Sequence, residues 1–537
     1  MGDLFGFSVA ISGDTVVVGA DNADPGGIGA AGAAYVFVKP GGGWAGNLTQ
    51  TAKLTASDKA AADLFGCSVA ISGDTVVVGA ALANPGGTED AGAAYVFVKP
   101  GGGWAGNLTE NAKLTASDKA ANDHFGGSVA ISGDTVVVGA VFATSGSTAD
   151  AGAAYVFIKP GGGWAGNLTQ NAKLTASDKA AYDSFGCSVA ISGDTVVVGA
   201  SDARPGGTAY AGAAYVFVKP GGGWAGNLTQ NAKLTASDKA TYDRFGHSVG
   251  ISGDTVVVGA NDTDPSNTTD AEAAYVFVKP GGCWAGSLPE YAKLTASDKA
   301  GGDGFGNSVA ISGDTVVVGA DRADPGGTVN AGAVYAFPSG TTTTITSHTP
   351  NPSVVGQAVT ANYTVTPDIA GSRTPTGNVT VSDGTVSCIA TVAAGTCNLT
   401  FSSAGGKTLI ATYAGNSSFT GSASTGVGHM VNQANTTTTI TSNTPHPSVV
   451  GQAVAVNYSV AVTAPGSGTP TGIVTVSDGT ISCTATVAAG TCNLTFTTAG
   501  GKTLIATYAG DSNFNGSAST GVGHTVTPAY YLPLILK

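Results

Sequence analysis

Pairs of aspartates close in sequence are the first residues of this chain that could bind a ligand. Each pair stands just before a proline: Asp21 and Asp24, Asp262 and Asp264, and Asp321 and Asp324. Two carboxylates so close together could hold a cation, because Ca²⁺ and Mg²⁺ are bound by oxygen ligands. Aspartate before proline is also ordinary turn chemistry, so both interpretations stay open.

A second set consists of basic and aromatic side chains that occur singly in otherwise variable segments. Guanidinium, imidazole and phenol groups can hydrogen-bond to a protein or glycan ligand or stack against it. The alternative is that each is an ordinary side chain of a solvated loop. The set is His124, Tyr182, Arg204, Tyr210, Tyr242, Arg244, His247 and Arg322.

Four of the seven cysteines form two pairs with the same spacing. Cys388 and Cys397 are nine residues apart, as are Cys483 and Cys492, each pair with an Ala-Ala-Gly turn between its members. A strand–turn–strand hairpin would place the two sulfurs opposite each other, which predicts two disulfides and an oxidising compartment. Reduced structural cysteines are the alternative. No further ligand pair completes a zinc site.

Catalytic motifs are absent from the sequence. It contains no Gly-x-Ser-x-Gly, no His-Glu-x-x-His and no Cys/His arrangement. Six aspartates recur identically in Ser-Gly-Asp turns, so they do not form an acid and base pair. We therefore expect a protein that is not an enzyme. A secreted propeller enzyme acting on polysaccharide or protein, and a passive structural spacer, remain the alternatives.

A 60-residue repeat fills the first part of the chain, where Phe-Gly recurs six times from Phe5-Gly6 to Phe305-Gly306. Alternating and β-branched residues predict four strands per unit, with a two-residue Gly-Asp turn between the first and second. In the second unit these strands are Ser68–Ser72, Thr75–Ala80, Ala93–Lys99 and Ala112–Ser117. No segment has a helical period, so the fold class is all-β, and each unit is typical of one propeller blade.

The pattern FG-x-SVAISGDTVVVGA…GAAYVF resembles the FG-GAP repeat, the blade of the integrin α-subunit propeller, and is most similar to its bacterial form. The resemblance covers residues 1–338 and implies a β-propeller that is usually extracellular and often adhesive. The family's DxDxDG calcium loop is reduced here to Ser-Gly-Asp, so we expect no cofactor and place its Ca²⁺ site in doubt.

The number of outer strands allows two interpretations of how the propeller ring closes. Strands one to three occur six times, but the outer strand of the Ala-Lys-Leu-Thr-Ala-Ser-Asp segment occurs five times. Either a ring of about six four-stranded blades lacks one outer strand, or the sequence is a fragment of a larger ring, for instance a seven-bladed one. The second alternative is favoured.

A different repeat follows, with an offset of 95 residues. Its two copies, residues 339–433 and 434–527, resemble the tandem bacterial Ig-like domains of surface and secreted proteins, which implies two β-sandwiches. Residues 528–537 form a short apolar tail.

Comparison of the six units with one another predicts where a ligand would bind. The strand 1–2 and strand 3–4 turns hardly change, whereas the strand 2–3 loops and the links between blades vary, and both variable segments should share one face. We therefore expect a recognition or adhesion protein with the Ig-like modules as a stalk. Drift in exposed loops is the alternative.

Charge and hydropathy restrict the classes of partner and the cellular locations that suit this chain. The net charge is −13, and its excess lies in residues 1–338, so nucleic acid is an unsuitable partner. No apolar run reaches the roughly 20 residues of a transmembrane helix. No signal peptide is visible, and an extracellular or cell-surface location is inferred from the architecture.

Overall fold

The computed structural model of the chain describes residues 2–261, 272–298, 300–313, 315–368, 374–416 and 419–530. They form two compact units that divide between Pro338 and Ser339. Strands and short 3₁₀ turns are the regular elements of the described residues, which confirms the all-β class.

Each repeat forms one antiparallel blade whose strands follow in chain order. The first strands are Ser8–Ser12, Phe65–Ser72, Phe125–Ser132, Phe185–Ser192, Ser248–Ser252 and Phe305–Ser312. The second strands are Thr15–Ala20, Thr75–Ala80, Thr135–Ala140, Thr195–Ala200, Thr255–Ala260 and Thr315–Ala320. The third strands are Ala33–Val38, Ala93–Val98, Ala153–Ile158, Ala213–Val218, Ala273–Val278 and Ala333–Pro338. The fourth strands are Ala52–Leu54, Ala112–Thr115, Ala172–Thr175, Ala232–Leu234 and Ala292–Leu294.

Local sequence explains this regularity. The Thr-Val-Val-Val run of each second strand is β-branched and favours extended backbone. Ser72 pairs with Thr75, so Gly73-Asp74 is the predicted two-residue turn, and Gly73 supplies the left-handed backbone that it needs. Among the strand 2–3 loops that the structure describes, four contain a 3₁₀ turn: Pro25–Gly27, Pro85–Gly87, Pro205–Gly207 and Pro325–Gly327.

Neighbouring blades meet most closely along their first strands. The Ser68 hydroxyl donates a hydrogen bond to the Gly126 carbonyl of the next blade (2.8 Å or less at this and the four equivalent boundaries). A Cβ atom at Gly79 would collide with that same carbonyl oxygen. Glycine is therefore required in the Val-Gly-Ala step by the approach of two backbones.

A fifth strand, which the sequence did not predict, joins successive blades. Gly166–Thr169 of the third repeat pairs in parallel with Ala112–Thr115, the fourth strand of the second blade. The equivalent strands of other repeats are Gly106–Leu108, Gly226–Thr229 and Gly286–Leu288. Each of these blades thus receives its outermost strand from the repeat that follows.

Apolar cores lie between adjacent blades. Trp104 of the second repeat is 5% exposed and belongs to the core that joins the first and second blades, as do Leu54 and Val76. Its equivalents Trp164 and Trp224 occupy the same place at later boundaries. These three tryptophans therefore pack between blades.

The first and last blades expose faces that inner blades bury. Val9 and Ile11 are 61% and 64% exposed, whereas the equivalent Val69 and Ile71 are each 9% exposed. On the sixth blade Val334 is 74% exposed. The sixth blade has three strands among the described residues, as expected from its missing fourth-strand segment.

The second unit contains two sandwiches of the same design. The first has the strands Thr341–Thr349, Ser353–Val354, Ala358–Pro367, Asn378–Ser382, Ser387–Thr391, Thr396–Thr400, Gly405–Tyr413, Ser422–Ala423 and Val427–Asn432, and the 3₁₀ turn Val392–Ala394. The second has the strands Thr436–Thr444, Ser448–Val449, Ala453–Val462, Ile473–Ser477, Ser482–Thr486, Thr491–Thr495, Gly500–Tyr508, Ser517–Ala518 and Val522–Thr527, and the turn Val487–Ala489.

Both predicted disulfides, Cys388–Cys397 and Cys483–Cys492, are present, with Cα atoms 5.9 Å apart in each. The predicted hairpin around them is wrong. The strand of Cys388 pairs with Asn378–Ser382, whereas the strand of Cys397 pairs with Ala358–Pro367 in the opposite sheet.

A turn explains this difference. The Thr391 hydroxyl accepts a hydrogen bond from the Ala394 N–H at 3.2 Å, and Gly395 adopts a left-handed conformation, so Val392–Ala394 forms a 3₁₀ turn. The turn carries the chain from one sheet into the other. Each disulfide therefore links the two sheets of its sandwich.

Candidate functional site

The strand 2–3 loop of each repeat lies directly beside the link that leads into the next blade. At the boundary between the fourth and fifth repeats, the Tyr242 N–H donates to the Ala209 carbonyl and the Arg244 N–H donates to the Tyr210 carbonyl, both at 3.1 Å. The equivalent bonds form at the boundary between the first and second repeats and at that between the second and third. The two most variable segments of the repeat therefore form one surface, which we call the variable face.

Three positions of the variable face have left-handed backbone in repeat after repeat. They are the tenth loop residue and the second and fourth link residues. The non-glycine residues there are Ala30, Asp90, Asp150, Tyr210 and Asn330 in the loops, and Leu4, Ala62, Leu64, Asn122, His124, Tyr182, Ser184, Tyr242 and Arg244 in the links. Positive φ favours glycine and asparagine and disfavours large side chains.

In the sixth repeat, these three positions hold residues that left-handed backbone favours. It has Gly302 and Gly304 in the link and Asn330 in the loop. The boundary between the fourth and fifth repeats instead has Tyr242, Arg244 and Tyr210, each at a conformational cost of about 1 kcal/mol. Side chains of this size are not the ones that left-handed backbone favours.

The large side chains at this boundary contact one another. The Tyr210 and Tyr242 rings stack with centroids 5.1 Å apart and an interplanar angle of 9°. The Arg204 guanidinium lies 5.0 Å from the Tyr210 ring centroid, and its Nη2 is 3.4 Å from the Tyr210 hydroxyl. We call Arg204, Tyr210, Tyr242 and Arg244 the tyrosine patch. Of the predicted site residues, these four are brought together.

The Asp202 carboxylate borders the patch. Asp202 Oδ1 lies 3.9 Å from Arg244 Nε, and its Oδ2 accepts a 2.6 Å hydrogen bond from the Ser184 hydroxyl. Arg204 makes no ion pair with any described residue. Asp202 was not among the predicted site residues, although it stands in the same variable loop as Arg204.

The remaining predicted side chains lie elsewhere on the variable face. His124 packs edge-on against Phe142 at 5.0 Å, and its burial lowers the pKa of His124. Tyr182 is 60% exposed. His247 is half-buried at the start of a first strand, where its N–H donates to the Arg244 carbonyl at 3.0 Å. Phe142 was missed, although it is the one phenylalanine in the strand 2–3 loops.

Aspartates of two of the predicted pairs accept hydrogen bonds from the backbone of their own loops. Asp24 Oδ1 accepts the Ala30 N–H and Asp324 Oδ1 accepts the Asn330 N–H, both at 2.7 Å, which is turn chemistry. Arg322 Nε lies 3.9 Å from Asp321.

Asp21 is buried, its Oδ1 has no hydrogen-bond partner among the described residues, and burial raises the pKa of Asp21. Asp262 and Asp264 lie outside the described residues. Within the described ranges no group of three or more His, Cys, Asp or Glu side chains is placed to hold a metal ion.

The Ser-Gly-Asp turns lie on the opposite face of the propeller and are engaged in ion pairs. Asp74 Oδ1 is 3.0 Å from Lys99 Nζ, and the same pair recurs in other repeats. A two-residue turn with a single, lysine-paired carboxylate does not provide the six to eight oxygens that Ca²⁺ takes.

Comparison with known families identifies both halves of the chain. The FG-GAP repeat model matches residues 1–37, 48–97, 108–157, 168–217, 228–277 and 289–337. The chain belongs to the FG-GAP repeat family. The model of the bacterial Ig-like domain (group 3) matches residues 345–432 and 440–527 of this FG-GAP protein. The predicted propeller with two tandem Ig-like domains is thereby confirmed.

Comparisons with individual proteins say less about this chain than the two family models do. No curated protein is similar enough to count as a match. Among solved structures, the periplasmic gluconolactonase PpgL of Pseudomonas aeruginosa is 11% identical with a TM-score of 0.33, covering 74% of this chain and 92% of its own.

A fungal alcohol oxidase of the AA5 family in complex with copper is 11% identical (TM-score 0.30; 78% and 95% covered). The fibronectin(III)-like modules of CbhA from Clostridium thermocellum are 16% identical (TM-score 0.15; 34% and 93% covered). Likenesses this low carry no argument about activity.

Location can be stated in general terms. No helix of the described residues is long and apolar enough to cross a membrane. The FG-GAP repeats, the bacterial Ig-like domains and the two disulfides fit an extracellular protein.

Proposed function

We propose that this FG-GAP protein is a non-catalytic recognition or adhesion protein of the cell exterior, which binds a protein or glycan partner through the variable face. One observation carries the proposal. Large aromatic and basic side chains occupy left-handed backbone positions of that face, where the sixth repeat has glycine and asparagine. Backbone strain that the fold does not need is typical of functional sites.

Drift explains this pattern less well. Substitution without selection should leave residues that tolerate positive φ, because the others reduce stability. Tyr182, Tyr242 and Arg244 run against that expectation. On the opposite face the exposed Ser-Gly-Asp turn is the same in all six repeats, and the strand 3–4 turn is nearly the same in five.

The Ig-like modules are proposed to act as a stalk. Hydrogen bonds between the two modules support this role, because a stalk has to hold its modules in a fixed orientation to each other. The Ala404 N–H of the first module donates to Asn513 Oδ1 of the second at 3.0 Å. Ser467 of the second donates its N–H to the Val355 carbonyl at 3.1 Å and its hydroxyl to the Gly356 carbonyl at 2.9 Å.

The test compares two variants of the full chain on an array of glycans and matrix proteins, with and without EDTA. The first, the levelled-face variant, carries the residues of the sixth repeat: His124→Gly, Tyr182→Gly, Tyr210→Asn, Tyr242→Gly and Arg244→Gly. The second changes the opposite face: Asp14→Asn, Asp74→Asn, Asp134→Asn and Asp194→Asn.

We expect the levelled-face variant to lose binding at least tenfold and the opposite-face variant to bind like the unmodified chain. The stability of the levelled-face variant should be roughly unchanged, because relief of backbone strain offsets the lost stacking. Equal binding by all three proteins would refute the proposed face. Turnover of an arrayed polymer would favour the enzyme alternative, and no binding at all would favour the spacer.

A further inference from the structure

The sixth blade has an open outer edge. Its third strand, Ala333–Pro338, pairs on the outer side with no strand among the described residues, whereas a fourth strand covers this side in each of the five preceding blades. Every residue of Ala333–Pro338 is at least partly exposed, but Ala93–Phe97 of the second blade is buried throughout. The unpaired N–H and C=O groups of such an edge are a template for another strand.

One backbone group of this edge shows where an added strand would pair. In the second blade, the Asn111 N–H, just before the fourth strand, donates to the Val96 carbonyl at 2.8 Å. The equivalent bond forms in the first, third, fourth and fifth blades. Ala336 stands at the position of Val96, and no donor of this kind from the described residues reaches its carbonyl.

Two side chains beside the edge are arranged to receive a lysine. In the second blade, Lys113 Nζ of the fourth strand lies 2.5 Å from Asp58 Oδ2 and 5.3 Å from the Tyr95 ring centroid. The sixth blade has the same aspartate and tyrosine, and the Tyr335 hydroxyl donates to Asp298 Oδ1 at 2.8 Å. Asp298 makes no ion pair with a described residue. The aspartate and the tyrosine are therefore in place, and the lysine would come from the added strand.

The position after the lysine suits an aliphatic side chain. Leu114 follows Lys113 and lies opposite Ala94 in the second blade. Val334 stands at the position of Ala94 in the sixth blade and is 74% exposed. An aliphatic residue opposite Val334 would remove apolar surface from water, which favours binding.

The charge of the propeller favours a basic ligand over an acidic one. Residues 1–338 carry 31 acidic residues against 18 basic ones. The field of this excess attracts a positively charged segment and repels a negatively charged one.

We propose that the outer edge of the sixth blade binds an extended, lysine-bearing segment of a partner protein by β-strand addition. The lysine pairs with Asp298, and the aliphatic residue that follows it covers Val334. Main-chain hydrogen bonds to the edge supply affinity, and the two side-chain contacts select the sequence. The site uses no residue of the variable face and does not depend on the proposed function.

Fluorescence anisotropy of labelled, acetylated peptides with the full chain tests the site. The first probe has the sequence of residues 111–118, Asn-Ala-Lys-Leu-Thr-Ala-Ser-Asp, which is an outer strand of the propeller itself. The second probe carries Lys113→Gln, and the third is a scramble of the first that separates lysine from leucine. We expect the first to bind with a Kd on the order of 100 µM, because the ladder is short, and the scramble not to bind up to about 1 mM. The second should bind at least fivefold more weakly than the first, since it lacks the charge.

Two variants of the chain locate the lysine contact. Asp298→Asn should reduce the first probe to the affinity of the second and leave the second unchanged. Asp238→Asn makes the same change in the fifth blade, where Lys293 Nζ already lies 2.6 Å from Asp238, and it should bind every probe like the unmodified chain. Hydrogen exchange should show that the first probe protects residues 333–338 and not 273–278, the equivalent strand that is already paired.

Three results would overturn the inference. The first is no binding of the first probe, or equal binding of the first probe and its scramble. The second is an equal loss of affinity in Asp298→Asn and Asp238→Asn, because net charge and not the edge would then hold the peptide. The third is binding without protection of residues 333–338, which would place the peptide elsewhere on the chain.

Discussion

The Tyr95 hydroxyl donates a 3.0 Å hydrogen bond to the Asp58 carboxylate and so ties the third strand of the second blade to the link that leads into it. Lys113 Nζ of the fourth strand lies 2.5 Å from the other Asp58 oxygen and 5.3 Å from the Tyr95 ring centroid. The same three residue types meet at the following three boundaries. Burial alone would raise the pKa of Asp58, and the contacts with Lys113 and Tyr95 outweigh it, so its pKa lies below the usual value.

Tyr95→Phe removes the hydroxyl and should lower the unfolding free energy of the propeller by about 1 kcal/mol, since Asp58 is half-exposed and keeps Lys113. The contribution of the depressed carboxylate is present above about pH 4 and is lost as the pH falls further. Denaturant unfolding followed by tryptophan fluorescence measures it, because all five tryptophans precede residue 338. Tyr35→Phe is the matched control, since the Tyr35 hydroxyl has no hydrogen-bond partner among the described residues. An equal loss in both would contradict the role of Asp58.

Gly79→Ala should be strongly destabilising, because its Cβ would collide with the Gly126 carbonyl of the next blade. We expect a loss of at least 2 kcal/mol from the resulting backbone shift. At the equivalent Gly319 of the sixth blade, the close atom is the Ser308 Oγ, a side chain that can rotate. Gly319→Ala should therefore cost distinctly less in the same fluorescence experiment, and equal costs would show that backbone approach is not the cause.

The strands of the propeller could be predicted because each is defined by a local pattern that the repeat confirms six times. Thr75–Ala80 is β-branched and follows a Gly-Asp turn, and the structure gives it the predicted bounds. The variable face could be predicted for a related reason. Successive turns of an antiparallel blade lie at alternate ends of its strands, so the order of the strands determines the side on which each loop lies.

What the sequence could not predict depends on contacts between distant segments. Gly166–Thr169 is polar and short, and it becomes a strand only because the preceding blade offers an open edge. The partners of Cys388 and Cys397 in opposite sheets follow from a turn whose direction the spacing does not fix. The stack of Tyr210 on Tyr242 joins residues 32 apart in sequence, and the left-handed backbone that bears them has no signature in a single repeat.

Val69→Asp should unfold or severely destabilise the propeller, with a loss of 3 kcal/mol or more, because it places an unpaired charge between two blades. Val9→Asp makes the same change at the equivalent position of the first blade. Since Val9 is 61% exposed and Val69 is 9% exposed, we expect Val9→Asp to cost less than about 0.5 kcal/mol. Fluorescence-detected unfolding of the full chain compares them. A comparable loss in both would mean that another surface covers the first blade in solution.

The last prediction concerns two buried histidines of the Ig-like modules. His524 is 2% exposed, with Nε2 2.8 Å from the Ser448 hydroxyl and Nδ1 2.8 Å from Asn443 Oδ1. Burial, followed by the neighbouring His446, lowers the pKa of His524. His429 is the equivalent residue of the first module, and burial together with His348 likewise lowers the pKa of His429.

The folded modules therefore bind fewer protons than the unfolded chain, in which histidine titrates near pH 6.5, so their stability should fall as the pH drops below that value. Hydrogen exchange of the segments 427–432 and 522–527, measured between pH 7.5 and 5, reports each module separately after correction for the intrinsic exchange rate. In His524→Gln we expect the pH dependence of the second module to flatten, whatever the variant's absolute stability, while the first module keeps its own. Unchanged pH dependence in 522–527 would show that another group is responsible.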